Sequence, residues 1–173
     1  MTEMDVGSEF TWDDQVAVRS VHFHDPAAPA ATTVTPSVFV AVHDEQGRFL
    51  LVQRRDSGAW EFPGGRMDVG ETAMAAAVRE TAEEAGVRVR ITGLVGLFSD
   101  PAFVIRAVDG RIRQPFVVCF HAVAEWGSPR PDEIETSDAG WFEPEQIETM
   151  TLEPGACRWI HHAIAGSGEP HLE

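Results

Sequence analysis

Three features of this sequence predict an α+β fold, an α/β/α sandwich built on a mixed sheet. Strand-like runs lie both before and after one strongly helix-forming run, residues 72–85, TAMAAAVRETAEEA. Two turn signals, Asp44-Glu45-Gln46-Gly47 and Asp109-Gly110, join neighbouring strand-like runs. Pro144 and Pro154 open two further helical patterns towards the C-terminal end. Strands, a central helix, more strands and closing helices fit a sheet covered on both faces. The 173 residues suit one domain with a sizeable core.

Taken in order, residues 1–14 are polar and acidic, with Phe10 and Trp12 as isolated apolar points, and predict a loose arm or edge strand. Residues 15–23 alternate in part (Val16, Val18, Val21, Phe23) and predict a strand. Residues 25–36, DPAAPAATTVTP, read as an irregular connection. SVFVAVHD (37–44) and RFLLVQRR (48–55) predict a hairpin. The helix of residues 72–85 has Thr72 to cap its start and Gly86 to end it. Residues 87–98 return to β-branched and apolar types, and 103–126 predict a second hairpin, with Pro115 at the start of its second strand. Residues 127–140 read as a loop, 140–142 as a short strand, and 144–150 and 154–165 as helices. Cys119 alternates into an apolar strand as a core residue.

Composition narrows the function. A formal charge of −15 opposes stable nucleic-acid binding and attachment to anionic membranes. No apolar run approaches the ~20 residues of a bilayer span. The N-terminal residues do not read as a secretion signal, and Cys119 and Cys157 are too few for a disulfide framework or a zinc site, so a cytoplasmic location is the expectation. All thirteen basic residues are arginines, which excludes lysine-dependent phosphate loops and Schiff-base chemistry.

The helix ends in RETAEEAG, with Glu80, Glu83 and Glu84 within an arc of roughly 100°. Like charges three or four residues apart cost ~0.2–0.5 kcal/mol per pair. Acids at the negative end of a helix dipole cost ~0.3–1 kcal/mol each. Arg79 can relieve part of this through Glu83, four residues on. A solvated acidic face and a site for a divalent cation both accommodate such a pattern, and the helix alone does not separate them.

The surrounding residues do. From Gly65 the sequence runs Gly, five residues, Glu71, seven residues, Arg79-Glu80, one residue, Ala82, Glu83-Glu84, one residue, Gly86, Val87. This resembles the Nudix box, and all seven of its fixed positions match. Chance agreement is about 10⁻⁸ to 10⁻⁹ per starting position at average residue frequencies. Thr81 departs from the pattern, standing where the family has an apolar residue. Trp60-Glu61-Phe62-Pro63-Gly64-Gly65 and the segment around Trp141 also look like the family, and the resemblance covers about residues 36–165. Residues 1–35 carry no family motif and form an N-terminal arm or strand, packed on the domain or on a partner subunit. Residues 166–173 form a tail, and Leu172-Glu173 resembles a cloning remnant.

The resemblance implies a Nudix-type α/β/α sandwich and a Mg²⁺- or Mn²⁺-dependent hydrolase. Such an enzyme cleaves a phosphoanhydride in a nucleoside diphosphate linked to another moiety. It implies Glu80, Glu83, Glu84 and the Gly64 carbonyl as metal ligands, with Arg79 holding the glutamates and Glu71 supporting. The general base is Glu84 or an acid of the loop before Trp141, with Glu135 preferred over Glu133 and Asp138. Arg66 is the first choice among Arg54, Arg55, Arg66 and Arg106 for gripping phosphates. Trp60 and Phe103 are carried as substrate-binding aromatics, although for Trp60 the resemblance favours packing beside the Gly-Gly turn; Phe10, Trp12, Phe98 and Phe116 are the other platforms. Some ADP-ribose-hydrolysing members carry a proline about as far beyond the box as Pro101. A proline is also a common loop starter. ADP-ribose or an NDP-sugar is the first substrate expected, and a nucleoside triphosphate, including oxidised dGTP, the alternative. A non-catalytic nucleotide-binding module and an isomerase on the same fold are the rivals. By analogy a homodimer is open.

Overall fold

A computed structural model describes residues 19–166 and 168–173. The expectations for residues 1–18, including Phe10 and Trp12, lie outside the described residues. In chain order the elements are β1 (Ser20–Phe23), β2 (Thr33–His43), β3 (Phe49–Arg54), β4 (Trp60–Glu61), β5 (Gly64–Arg66) and α1 (Ala73–Ala85). Then follow β6 (Val87–Phe98), β7 (Phe103–Arg106), β8 (Ile112–Gly127), β9 (Thr136–Phe142), α2 (Pro144–Ile147), α3 (Ala156–Ala165) and β10 (His171–Leu172).

Period-two alternation sets the layers. Val38, Val40 and Val42 of β2 and Leu50 and Val52 of β3 join Ala76, Ala77 and Ala85 of α1 in one core. The intervening Ala41, Phe49 and Leu51 pack in a second core with Ile147 of α2 and Trp159, Ile160 and Ala163 of α3. The sheet is therefore sandwiched between α1 and the C-terminal helices. It is mixed: β2 runs parallel to β8 from Thr33 to His43, and β10 runs parallel to β6, while the remaining pairs are antiparallel. Cys119 is fully buried, and its thiol is pushed well up by that burial. No helix among the described residues is long and apolar enough to cross a membrane.

Four boundaries differ from expectation, each for a local reason. The turn after β2 forms, with Asp44 accepting from the amides of Gln46 and Arg48 at 3.0 and 2.9 Å. Yet β2 and β3 share only the His43–Phe49 pair, because β5 takes the adjoining edge of β2 at Ser37–Phe39 and β3 turns to β9 and β4. The strand before α2 starts at Thr136 rather than Gly140, since the Asp132 side chain accepts from the amides of Ile134, Glu135 and Thr136 and closes the loop early. α2 stops at Ile147, and α3 starts at Ala156 with Gly155 as its N-cap, so Pro154 lies before the helix. Pro115 falls inside β8, where partners on one edge end at Arg113 (β7) and resume at Val117 (β6). A missing N–H is tolerable at that changeover. The expected division at residues 35 and 36 falls within β2, and the tail contributes β10.

α1 is built as its sequence dictates. The Thr72 hydroxyl accepts from the Ala75 amide at 3.2 Å, and Gly86 closes the helix at φ 68° with its amide on the Ala82 carbonyl. Thr81 is fully buried and sends its hydroxyl proton back to the Ala77 carbonyl at 2.8 Å, leaving its methyl group for the core. Gly64 is confined for a different reason: a Cβ there would lie 2.7 Å from the Phe39 Cα and against the Val38 carbonyl. Gly64→Ala is expected to cost at least ~3 kcal/mol, because β2 must move. Gly86→Ala should cost only the left-handed backbone, ~1–2 kcal/mol. Denaturant titration of both variants checks this, and equal losses would show that β5 is free to leave β2.

Candidate active site

The loop from β4 through β5 lies against the C-terminal half of α1, and one hydrogen bond fixes the contact. The Gly64 amide donates to Glu84 Oε2 at 2.8 Å. Glu84 is 5% exposed, and among the described residues its carboxylate has no other hydrogen-bond donor. Burial holds its carboxyl well above the usual range, and the neighbouring charges of Glu61, Glu80 and Glu135 push the same way. Next to it, Gly65 lies so close beneath Glu80 that a Cβ would clash with Oε1 at 2.6 Å. The two glycines thus bring backbone beneath two carboxylates.

Arg79 organises the outer side. It takes Glu71 with two nitrogens, Nη2 at 2.7 Å and Nε at 3.1 Å, and reaches Glu80 and Glu83 through Nη1, both at 3.0 Å. It also donates to the Arg66 carbonyl at 3.3 Å. The Arg79 hydrogen bonds hold Glu71 below the usual carboxylate range, whereas burial holds Glu80 above it despite the guanidinium. Glu83 points away from Glu84, with its side chain 58% exposed. Among the described residues no three acidic, histidine or cysteine side chains already converge on one point, since Arg79 holds Glu80 and Glu83 while Glu84 turns to Gly64.

A cleft of about 540 Å³ opens beside this cluster. Gly64, Gly65, Glu80, Glu61 and Glu135 line one end. Phe39, Phe103, Ile105, Val108 and Trp159 give it an apolar wall, with Trp159 stacked on Phe39 at 5.0 Å. Six arginines border it: Arg19, Arg54, Arg55, Arg66, Arg79 and Arg113.

Of the sequence candidates, the structure brings Gly64, Glu71, Arg79, Glu80, Glu83, Glu84 and Glu135 to one end, and Arg66 and Phe103 to the same cleft. Trp60 stands apart, edge-on to Phe142 at 4.9 Å and packed on the α3-side core with its backbone bonded to Thr151 and Glu153. Of the other arginines considered, Arg54 is held by Glu61 and Asp56 and Arg55 reaches towards Glu133, while Arg106 does not line the cleft. Within the loop, Glu135 lines the cleft and Glu133 and Asp138 do not.

Sequence reasoning missed Glu61, Glu153, Trp159 and Arg113. Glu61 is 3% exposed and bonded to Arg54 Nη1 at 2.8 Å, yet burial still pushes its carboxyl up. Its signal was an acid placed between two aromatic residues in a run that must be buried. Glu153 accepts from Arg19 Nη1 at 2.7 Å and from the Ser57 hydroxyl at 3.0 Å. Arg113 shares the strand phase of Pro115, Val117 and Cys119, which marks it as inward-facing.

The NUDIX domain family model matches residues 33–163. A putative 8-oxo-dGTP diphosphatase of Bacillus subtilis (strain 168) is 34% identical over 138 residues, 80% of this chain and 85% of that protein. An ADP-ribose pyrophosphatase of Methanocaldococcus jannaschii is 34% identical over 70 residues, 38% of this chain and 41% of that protein. Among solved structures, an ADP-ribose pyrophosphatase from Streptococcus suis superposes with a TM-score of 0.61 at 24% identity, over 80% of this chain and 96% of that one, and supports the fold. With the box carboxylates gathered at one end of a cleft and the family model matching nearly the whole sandwich, the chain belongs to the NUDIX domain family, as one of its hydrolases.

Proposed function

We propose that this hydrolase splits the phosphoanhydride of a nucleoside diphosphate linked to a further group, with Mg²⁺ or Mn²⁺ held at the carboxylate end of the cleft. The observation that carries this reading is the burial of Glu84 among Glu61, Glu80 and Glu135, with only the Gly64 amide as donor among the described residues. Mutually repelling carboxylates at one end of an open cleft suit a hard divalent cation, which takes oxygen ligands. Glu80 and Glu84 are the first candidate ligands, with Glu83 and the Gly64 carbonyl completing the set. A cation there would neutralise phosphoryl oxygens and acidify a water molecule.

The chain's own groups divide the remaining work. Arg79 anchors Glu80 and Glu83 and is itself fixed by the two-pronged bond to Glu71. Glu135 is exposed at the cleft rim with no ion pair among the described residues, so it is available to take a proton from water. Glu84 is the other candidate base. Water's oxygen then bonds to phosphorus, the bridging P–O bond breaks, its electron pair leaves with the departing phosphate, and the water proton passes to the base. Phe103 and its apolar neighbours offer surface for a base or sugar, and Arg66 offers charge to phosphate. ADP-ribose or an NDP-sugar remains one substrate reading, as in the name of the Methanocaldococcus relative. The longer match to the putative 8-oxo-dGTP diphosphatase favours a nucleoside triphosphate as the second.

Two outcomes follow for Glu84→Gln. Because the folded pKa is raised, native Glu84 keeps a proton that the unfolded chain releases above ~4.3. The stability carried by that proton is complete at low pH and declines as pH rises through the folded value. In chelator, Glu84→Gln should therefore melt above the wild type at about pH 8, with the gap closing towards about pH 5; a gap independent of pH contradicts the assignment. In Mg²⁺, Glu84→Gln should lower turnover by ~10²-fold or more. A panel of ADP-ribose, NDP-sugars, dinucleotides and nucleoside triphosphates, read as released phosphate or monophosphate, identifies the substrate. No turnover of any of them by the wild type would sink the reading.

A further inference from the structure

Charge pairing divides the six arginines of the cleft into two groups. Arg19, Arg54, Arg55 and Arg79 each have a carboxylate within ion-pair distance: Glu153, Glu61, Glu133 and Glu71 respectively. Arg66 and Arg113 have none among the described residues, and their side chains make no hydrogen bond there. Asp109, the nearest acid in the β7–β8 turn, is held by Arg111 at 2.9 Å. Asp109 attracts both at longer range without an ion pair to either. In a chain with fifteen more acids than bases, two arginines of one cleft with no ion pair among the described residues stand out against the composition.

Their places in the sheet explain how they meet. Arg66 on β5 pairs with Ser37 on β2, and Arg113 on β8 pairs with Thr33, two residues beyond the Thr35–Pro115 pair. Thr35, Ser37, Pro115 and both arginines all line the cleft. β5 and β8 flank β2 on opposite edges, and the two arginines stand four residues apart along it while lining the same cleft. Arg113 is half-buried, and burial together with repulsion from Arg66 and Arg19 disfavours its charge. An arginine stays protonated at neutral pH nonetheless, so one cleft, which Thr35 and Ser37 also line, holds two like charges that repel each other. An anion between them would remove that cost, and guanidinium groups suit phosphoryl oxygens in geometry as well as charge.

We propose that Arg66 and Arg113 form a second anion subsite of the cleft, which takes a phosphoryl group beyond the diphosphate engaged at the carboxylate end. The substrates this subsite favours carry at least one more phosphoryl group than an NDP-hexose does. The identity of the other end of the ligand rests on the phosphoanhydride reading above; anion binding by the two arginines does not.

The test has a binding arm and a kinetic arm, both on the full chain. With chelator present, inorganic tripolyphosphate should bind wild-type protein in calorimetry. Arg113→Gln should weaken it roughly tenfold or more, Arg113→Lys should keep part of the affinity, and Arg90→Gln, at an exposed β6 arginine outside the cleft that pairs with Glu125 near the far end of β8, should leave it unchanged. With Mg²⁺, Arg113→Gln should raise KM for a nucleoside triphosphate roughly tenfold while altering kcat/KM for an NDP-hexose less than about twofold. No tripolyphosphate binding by the wild type, equal binding by Arg113→Gln, or equal losses on both substrates would each overturn the subsite. Tripolyphosphate binding that depends on Arg113 in a protein hydrolysing no nucleotide would support the subsite and sink the hydrolase reading instead.

Discussion

The burial of one carboxylate constrains the rest of the structure. Glu84 lies in the seam between α1 and the glycine strand, where water is largely excluded and a single amide compensates it. A buried charge left that poorly paired is costly unless it is protonated or meets a cation. Every nearby element serves the contact. Gly64 must be glycine to lie against β2, Gly65 must be small to lie beneath Glu80, and β2 must give up most of its hairpin partner to receive them. Thr136, fully enclosed, donates its hydroxyl to the Glu84 carbonyl at 3.0 Å and ties the acidic loop to the same helix end. Local stability is thus traded for a place where positive charge is needed.

The cleft grows from the same sheet by simple geometry. One face of β2, β5, β7 and β8, closed over by α3, supplies aromatic and aliphatic wall, hydroxyls and arginine in alternate positions. Because the chain has no lysine, all fixed cations of the cleft are planar guanidinium groups, able to hold two oxygens at once. Arg79 uses this to bind Glu71 with two nitrogens and still reach Glu80 and Glu83, so one side chain sets the positions of three acids. Arg54 likewise holds two acids, Asp56 and Glu61. The cleft therefore holds both ion-paired arginines and, among the described residues, two without an ion pair, Arg66 and Arg113.

Much of this was legible in the residues, and what was not has physical causes. α1 was readable from Thr72 to Gly86 because local propensity, capping and period agree there. The box carried its carboxylates in register, so their gathering at one helix end followed. The β2–β3 hairpin was half legible: its turn is local chemistry, but the choice of β5 over β3 as partner is a long-range contest that Gly64 decides. β9 hid behind polar residues, since Thr136-Ser137-Asp138 looks like loop until β3 provides an edge. Glu61 and Arg113 were overlooked because a charged residue in a strand reads as outward-facing, although the phase of their apolar neighbours pointed inward. Trp60 illustrates the reverse. An aromatic beside the box invited a substrate role, and the structure places it among core side chains near Phe142.

The reading proposed for the seam between α1 and the Gly64–Gly65 strand is that Glu80 and Glu84 hold a divalent cation there. Anomalous diffraction from crystals soaked in Mn²⁺ tests it most directly. The account predicts a manganese peak bonded to carboxylate oxygens of Glu80 and Glu84, with Arg79 released from Glu80 and still bound to Glu71. Ordered crystals with no manganese at that seam, and with Glu84 still bonded only to the Gly64 amide, would contradict it.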